Sequence, residues 1–124
     1  MSTAVQPPEP CMSEILNAAL TEVFPDAVFP QLYSGPLPEY VVWNYSAFPA
    51  LWAEGAPQAA RYLVQVHLYL PHKKNPHAAI LALSEAIFAA GITWPSVTDA
   101  SDAEGQHWVL EGEYADGGGL YGLV

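Results

Sequence analysis

Residues 61–94 read RYLVQVHLYLPHKKNPHAAILALSEAIFAAGITW, and this stretch decides the fold. Its first part alternates between apolar and other side chains, which is the period of a strand with one buried face. One side of that strand carries Tyr62, Val64, Val66, Leu68 and Leu70. The opposite side carries Arg61, Gln65 and His67. A Pro-His-Lys-Lys turn then separates the strand from a helix.

The helix in this stretch has marked ends. Asn75 is the expected N-cap, and Pro76 takes the first helical position, where a missing N–H costs nothing. Gly91 takes the left-handed position that ends a helix. The helical spacing predicts a stripe that packs on the sheet, formed by Ile80, Leu83, Ile87 and Ala90 and widened by Leu81 and Phe88.

Outside this stretch the sequence predicts one more helix and several strands. Ser13 is the predicted N-cap of a helix that starts at Glu14. Its apolar stripe is Ile15, Leu16, Ala19, Leu20 and Val23. Predicted strands cover residues 28–33, 40–46, 61–70, 92–98 and 106–114. Residues 47–60 are predicted to form a long connection, of a length that is usually functional or mobile.

These elements predict an α+β fold. We expect an antiparallel sheet of four to five strands, with both helices packed on one face. The other face is expected to meet solvent or a neighbouring molecule. It would carry Gln65, His67, His107, Glu111 and Glu113.

The chain of 124 residues is long enough for one domain. Residues 1–12 are predicted to be a flexible proline-rich tail, residues 13–115 the single domain, and residues 116–124 a glycine-rich C-terminal tail. The N-terminus lacks the basic region and apolar core of a signal peptide. No apolar run reaches the roughly 20 residues that span a bilayer. We therefore expect a cytoplasmic protein that does not enter a membrane.

The charge balance is strongly acidic, with 13 acidic and three basic residues and a net charge of -10. Tight binding to nucleic acid is disfavoured, because phosphates are neutralised by lysine and arginine. The excess charge has two interpretations. It keeps the protein dispersed in solution, or it coats a surface that nucleic acid passes without binding.

The sequence predicts no enzyme, metal site or cofactor. His67, His72 and His77 are spaced five apart on a strand, a turn and a helix start, so local geometry does not bring them together. Ser84 lies in an apolar helical stripe, and Cys11 has no basic neighbour to lower its pKa. No set of residues fills the roles of nucleophile, base and orienting group together.

Two aromatic residues in the predicted connection, Phe48 and Trp52, favour an interaction surface. Large apolar side chains presented from such segments are enriched at protein–protein contacts. The alternative is that the connection folds back and buries both.

The order of elements resembles the small tail-completion or tail-terminator proteins of tailed bacteriophages and prophages. The matching phrases are YVVWNY, RYLVQVHLY after a long loop, AAGI at a helix end, SDAEGQ in an acidic turn, and HWVLEGEY. The resemblance covers about residues 13–115. It implies an α+β fold, assembly into a ring that is often a hexamer, and no enzymatic activity.

A ring that DNA passes through implies a lumen that repels phosphate over about a Debye length, ~8–10 Å. The candidate lumen residues are Asp99, Asp102, Glu104, Glu111 and Glu113. The candidate contacts between subunits are Phe48, Trp52, Lys73 and Lys74, with the lysines meeting a neighbour's acids. Expected partners are further copies and other phage neck and tail proteins, in the host cytoplasm and the virion neck. Two alternatives stay open: a small adaptor that binds a protein partner through the same loop, and a carrier with an apolar pocket between sheet and helices.

Overall fold

The computed structural model describes residues 11–49, 52–53, 56–57 and 60–116. Its helices are α1 (Met12–Thr21) and α2 (His77–Ala89). The strands of the main sheet are β1 (Val28–Pro30), β2 (Tyr40–Pro49), β5 (Ala60–Leu70), β6 (Ser96–Asp99) and β7 (Gln106–Asp116). A second, two-stranded sheet pairs β3 (Trp52–Ala53) with β4 (Ala56–Pro57).

The main sheet has the strand order β1-β2-β5-β7-β6. Three of its four pairings are antiparallel, as predicted, and the β1–β2 pairing at one edge is parallel. The parallel pair arises because residues 31–39 carry the chain back to the end of the sheet at which β1 began. The predicted α+β class is confirmed, and the sheet is mixed at this one edge.

Both helices pack on the same face of the sheet, as the sequence predicted. Leu16 and Leu20 of α1 and Leu83 and Ile87 of α2 belong to one buried cluster with the inward residues of the strands. The strand residues of that cluster include Val41, Trp43, Val64, Val66, Leu68 and Leu110. The indole N–H of Trp43 also donates to the Asn17 side chain at 3.0 Å, which ties β2 to α1. Burial of this apolar surface is the main force that holds the helices on the sheet.

Helix α1 begins two residues earlier than predicted. Cys11, not Ser13, is the N-cap, and its backbone N–H donates to the Glu14 carboxylate at 3.1 Å. A glutamate at the third helical position satisfies this otherwise free donor. Met12 is only 1% exposed and belongs to the core, so it is part of the domain and not of the predicted tail. Residues 1–10 lie outside the described residues.

The ends of α2 follow the sequence closely. The helix begins at His77 with Pro76 as its N-cap, so the predicted N-cap Asn75 was placed one residue too early; the Asn75 side chain still accepts the backbone N–H of His77 at 3.0 Å. Gly91 has φ +96°, the left-handed conformation predicted for it. The N–H of Gly91 donates to Phe88 and that of Ile92 to Ile87. This double hydrogen bond is a Schellman motif, which caps the last carbonyls of the helix.

The predicted long connection at residues 47–60 is wrong. Strand β2 continues to Pro49, which pairs with Ala60 of β5, so Phe48 lies in a strand opposite Arg61. Cross-strand pairing overrides the proline and alanine content that suggested a loop, because each added pair extends an existing ladder. At the other edge of the sheet, the strand predicted for residues 92–98 is shorter, because β6 begins only at Ser96. Ile92 lies ahead of β6 and is buried.

Helix α2 leaves two large apolar residues in solvent that were predicted to join its packed stripe. Leu81 is 43% and Phe88 58% exposed. Leu81 lies seven residues before Phe88 on α2, and the Phe88 ring contacts Trp94, ahead of β6, with centroids 5.8 Å apart. In the described part of the chain, neither helix has the length and apolar content needed to cross a membrane.

Candidate functional site

The candidate site lies on the open face, the side of the main sheet opposite the helices. The strand register places the five predicted polar residues there. Gln65 is directly opposite Glu111, and His107 is opposite Tyr69, two residues along β5 from His67. Most side chains of this face are half-buried by one another. The predicted division of β5 and β7 into a core side and a polar side is therefore confirmed.

Two pairs of side chains bridge β5 and β7 on the open face. The Gln65 amide donates to the Glu111 carboxylate at 2.9 Å. The Arg61 guanidinium donates to the Glu113 carboxylate at 2.6 Å, forming a solvent-exposed ion pair. Both glutamates thus already hold an intramolecular partner.

A row of aromatic rings crosses the open face from β1 to β7. Phe29 stacks on Tyr33 with ring centroids 4.0 Å apart, and Tyr33 meets Tyr40 at 4.7 Å. Tyr40 stacks on Tyr69 at 4.7 Å, and Tyr69 stacks on His107 at 4.3 Å. Tyr40, Tyr69 and His107 stand side by side because they are direct cross-strand partners. Aromatic pairs at such distances are stabilising beyond their burial.

A pair of histidines ends this row. The Nδ1 atom of His67 lies 2.8 Å from the Nε2 atom of His107. The Asn44 amide nitrogen lies 3.2 Å from the Nε2 atom of His67. All contacts are satisfied if Asn44 donates to His67, and His67 donates through Nδ1 to a neutral His107. In this assignment both rings are uncharged.

Burial lowers the pKa of His67, and the neighbouring His107 lowers it further. Burial also lowers the pKa of His107, while the Asp102 carboxylate opposes that shift. Within the described residues, the two rings contact each other, Asn44 and Tyr69. Among the described residues, no three His, Cys, Asp or Glu side chains are grouped so as to hold a metal ion.

Next to the aromatic row lies a cleft of about 350 Å³, here called the tyrosine cleft. Tyr40, Tyr69 and His107 line it together with Pro38, Asp102 and Glu104. Burial raises the pKa of Tyr69, and Tyr40 and Asp102 raise it further. Burial and Tyr33 likewise raise the pKa of Tyr40. Both phenols are therefore held in their neutral form.

Buried Gln106 fixes the walls of the tyrosine cleft. Its amide nitrogen donates to the carbonyls of Pro71 and Lys74 at 2.8 and 2.6 Å. Its amide oxygen accepts the indole N–H of Trp108 at 2.9 Å. The His72 ring lies 3.2 Å from the carbonyl oxygen of Ala103, which joins the two turns that flank the cleft.

The five predicted lumen acids do not share one surface. Glu111 and Glu113 lie on the open face. Asp102 and Glu104 line the tyrosine cleft instead. Asp99 pairs with Trp108, so its side chain projects toward the helix side of the sheet. There its carboxylate accepts the backbone N–H of Ser101 at 2.9 Å, and hydrogen bonds from the Ser101 side chain and backbone lower the pKa of Asp99.

The four predicted contact residues are also separated. Phe48 is 50% exposed near the end of β2, and Trp52 lies in β3, with a side chain outside the described part. Lys73 and Lys74 are in the turn after β5, at the far end of that strand. Lys74 already binds the Glu39 carboxylate at 3.0 Å within the chain.

Sequence reasoning missed the aromatic row, the tyrosine cleft and the role of Gln106. Tyr40 and Tyr69 were visible as strand residues, but no local signal shows that they meet. It also missed an exposed apolar group beside β6, here called the flank patch. The flank patch consists of exposed Phe88 and Trp94, which are in ring contact, with exposed Leu81 seven residues earlier on α2 and exposed Val97 in β6.

No protein-family model, curated protein or solved structure matches this chain.

Proposed function

We propose that this chain is a non-enzymatic structural protein of a phage head–tail neck that assembles with copies of itself into a ring. The order of its elements supports this, because it resembles that of tail-terminator proteins. The observation that carries the proposal is an unpaired strand edge. Beyond Trp43, within the described residues, β2 pairs only with β5, and residues 44–49 have a free outer edge.

This hairpin edge (residues 44–49) has the features of a contact surface. An unpaired strand edge presents backbone donors and acceptors to another chain. Phe48 adds an exposed apolar side chain beside a small cleft of about 280 Å³. An isolated, exposed strand edge of this kind is stabilised when a second chain covers it.

A ring of identical subunits needs a second, different surface on each subunit. The flank patch is the candidate, because it lies beside β6, at the opposite edge of the sheet from the hairpin edge. Phe88 and Trp94 are in ring contact there, with centroids 5.8 Å apart. Two apolar surfaces at opposite edges suit a head-to-tail arrangement, and the rotation between subunits then decides ring size.

The proposed lumen is the open face, with Asp102, Glu104, Glu111 and Glu113 near DNA. The acidic balance supports this role, because a net charge of -10 disfavours adhesion to phosphate. Asp99 is left out of the lumen, since it projects to the other side of the sheet. Lys74 is left out of the subunit contact because Glu39 already neutralises it.

Light scattering coupled to size exclusion tests the assembly. We expect the wild-type chain to elute at a fixed multiple of its 13.4 kDa mass. Phe48→Ala should lower the molar mass measured in solution toward that of a monomer, with little change in melting temperature. Leu32→Ala is the matched control, because Leu32 is 79% exposed but lies outside the hairpin edge. A monomeric wild type at high concentration would contradict the ring.

Trp52→Ala, in β3, gives a second measurement of assembly. We expect it to weaken assembly more than folding, and the reverse outcome would place Trp52 in the core. Retention of duplex DNA by the wild-type protein at ordinary ionic strength would argue against a non-adhesive lumen.

A further inference from the structure

The tyrosine cleft presents polar groups that the described chain leaves unused. Within the described residues, the hydroxyls of Tyr40 and Tyr69 and the carboxylate of Glu104 make no hydrogen bond. Asp102 uses one carboxylate oxygen to accept the backbone N–H of Glu104 at 2.9 Å. Its second oxygen is free to accept from a ligand. Four groups around one cleft can therefore accept hydrogen bonds.

The charge and shape of the tyrosine cleft favour a planar cation. Asp102 and Glu104 bring two negative charges, and no lysine or arginine lines the cleft. The hydroxyls of Tyr40 and Tyr69 add two hydrogen-bond acceptors beside these carboxylates. Guanidinium has five N–H donors and no acceptor, stacks on aromatic rings and pairs with carboxylates.

The walls of the cleft are held in place before any ligand arrives. Gln106 and His72 join the turn after β5 to the turn before β7. On the other side, the Tyr33 hydroxyl accepts the backbone N–H of Leu37 at 3.1 Å, close to Pro38. A preformed site loses less entropy on binding. Its volume is at the small end for ligand pockets, which suits one side chain.

We propose that the tyrosine cleft binds the guanidinium group of an arginine side chain presented by a partner protein. A second copy of this chain is a poor source of that group. Arg61 is the only arginine in the sequence, and Glu113 holds it at 2.6 Å. The partner is therefore a different, more basic polypeptide, which the charge of -10 would also attract. This inference does not depend on ring assembly.

Titration of the isotope-labelled protein with short peptides, followed by NMR, tests the proposal. The probe is a glycine–serine peptide with one central arginine. Two comparison peptides carry citrulline or lysine in place of the arginine. We expect the arginine peptide to shift the signals of residues around Tyr69, His107 and Asp102. Citrulline keeps the shape without the charge, so it should bind at least about five-fold more weakly.

Variants identify the site. Asp102→Asn and Glu104→Gln should each weaken the arginine peptide by about three- to ten-fold. Glu85→Gln is the matched control, since it makes the same charge change on the exposed side of α2. Tyr69→Phe removes only the hydroxyl and should weaken binding by about three-fold, consistent with one lost hydrogen bond. Melting temperatures confirm that each variant is folded.

Three results would overturn the proposal. They are absence of shifts with the arginine peptide, equal binding of the citrulline or lysine peptide, and equal losses in Glu85→Gln and Asp102→Asn. The oligomeric state measured on the same samples keeps this test separate from that of the ring.

Discussion

The two faces of the main sheet are built from the same strands but by different interactions. On the covered side of β5, Val64, Val66 and Leu68 are almost fully buried beneath the helices. On the open side of β5, Leu63, Gln65, His67 and Tyr69 are half-buried by their neighbours in the sheet. The comparison indicates that the covered face supplies most of the stability, while the open face holds side chains in defined positions at the surface.

The largest expected effect comes from matched leucines on the two faces of β5. Leu68→Ala should lower the free energy of unfolding by about 3 kcal/mol, because Leu68 is 0% exposed and its loss leaves a cavity. Leu63→Ala on the open face should cost about 1 kcal/mol or less. Urea unfolding of both variants measures the difference. Equal losses would mean that the open face is also a packed core.

A smaller effect is expected where the chain crosses closely over β7. A Cβ added at Gly112 would lie 2.9 Å from Ile92 Cγ2 and from the Thr93 carbonyl oxygen. Gly112→Ala should therefore cost about 1–3 kcal/mol, because the crossing segment must move. Glu111→Ala, on the adjacent residue of the open face, is the control and should cost about 1 kcal/mol or less. A neutral Gly112→Ala would show that the crossing segment adapts freely.

The smallest expected effect is a pH dependence confined to the open face. His67 and His107 have lowered pKa values in the fold, so the unfolded chain binds more protons at mildly acidic pH. Their contribution to stability is then complete above the ordinary histidine pKa of about 6.5 and is lost as pH falls from there through the lowered pKa values of the folded state. Other titratable groups near this pair are Tyr40, Tyr69 and Glu111 on the open face and Asp102 in the tyrosine cleft.

Melting temperatures at several pH values between neutral and mildly acidic measure this effect. Replacing both His67 and His107 by glutamine should flatten the profile. His77→Gln, an exposed histidine at the start of α2, is the control. If melting temperature depends on pH as strongly in the double variant as in the wild type, the histidine pair does not cause the pH dependence.

Much of the fold could be predicted from local pattern. The alternation in β5 and β7 gave the correct faces, and Gly91 was correctly expected to end α2 in a left-handed conformation. The start of α1 was misplaced because Cys11 is a weak N-cap signal, whereas Glu14 satisfies the free N–H from inside the helix. The span of β2 was underestimated because its last residues are specified by pairing with β5, not by their own composition.

The candidate site was less predictable. Glu111 and Glu113 were correctly placed on one face, since the period of a strand fixes this. Asp99 was wrongly grouped with them, because its side depends on the register between β6 and β7. Phe88 was expected to be packed but is 58% exposed, because the face of α2 that carries it is not among the buried residues of that helix.

The sequence by itself determined which residues of each strand share a side, where α2 ends, and that the chain is acidic. These properties depend on periods of two and 3.6 residues and on composition, which are local. Only the tertiary structure decided that Tyr40, Tyr69 and His107 stand in one row beside Asp102 and Glu104. Their meeting depends on the register of strands far apart in the chain, and register is set by the packing of the whole covered face.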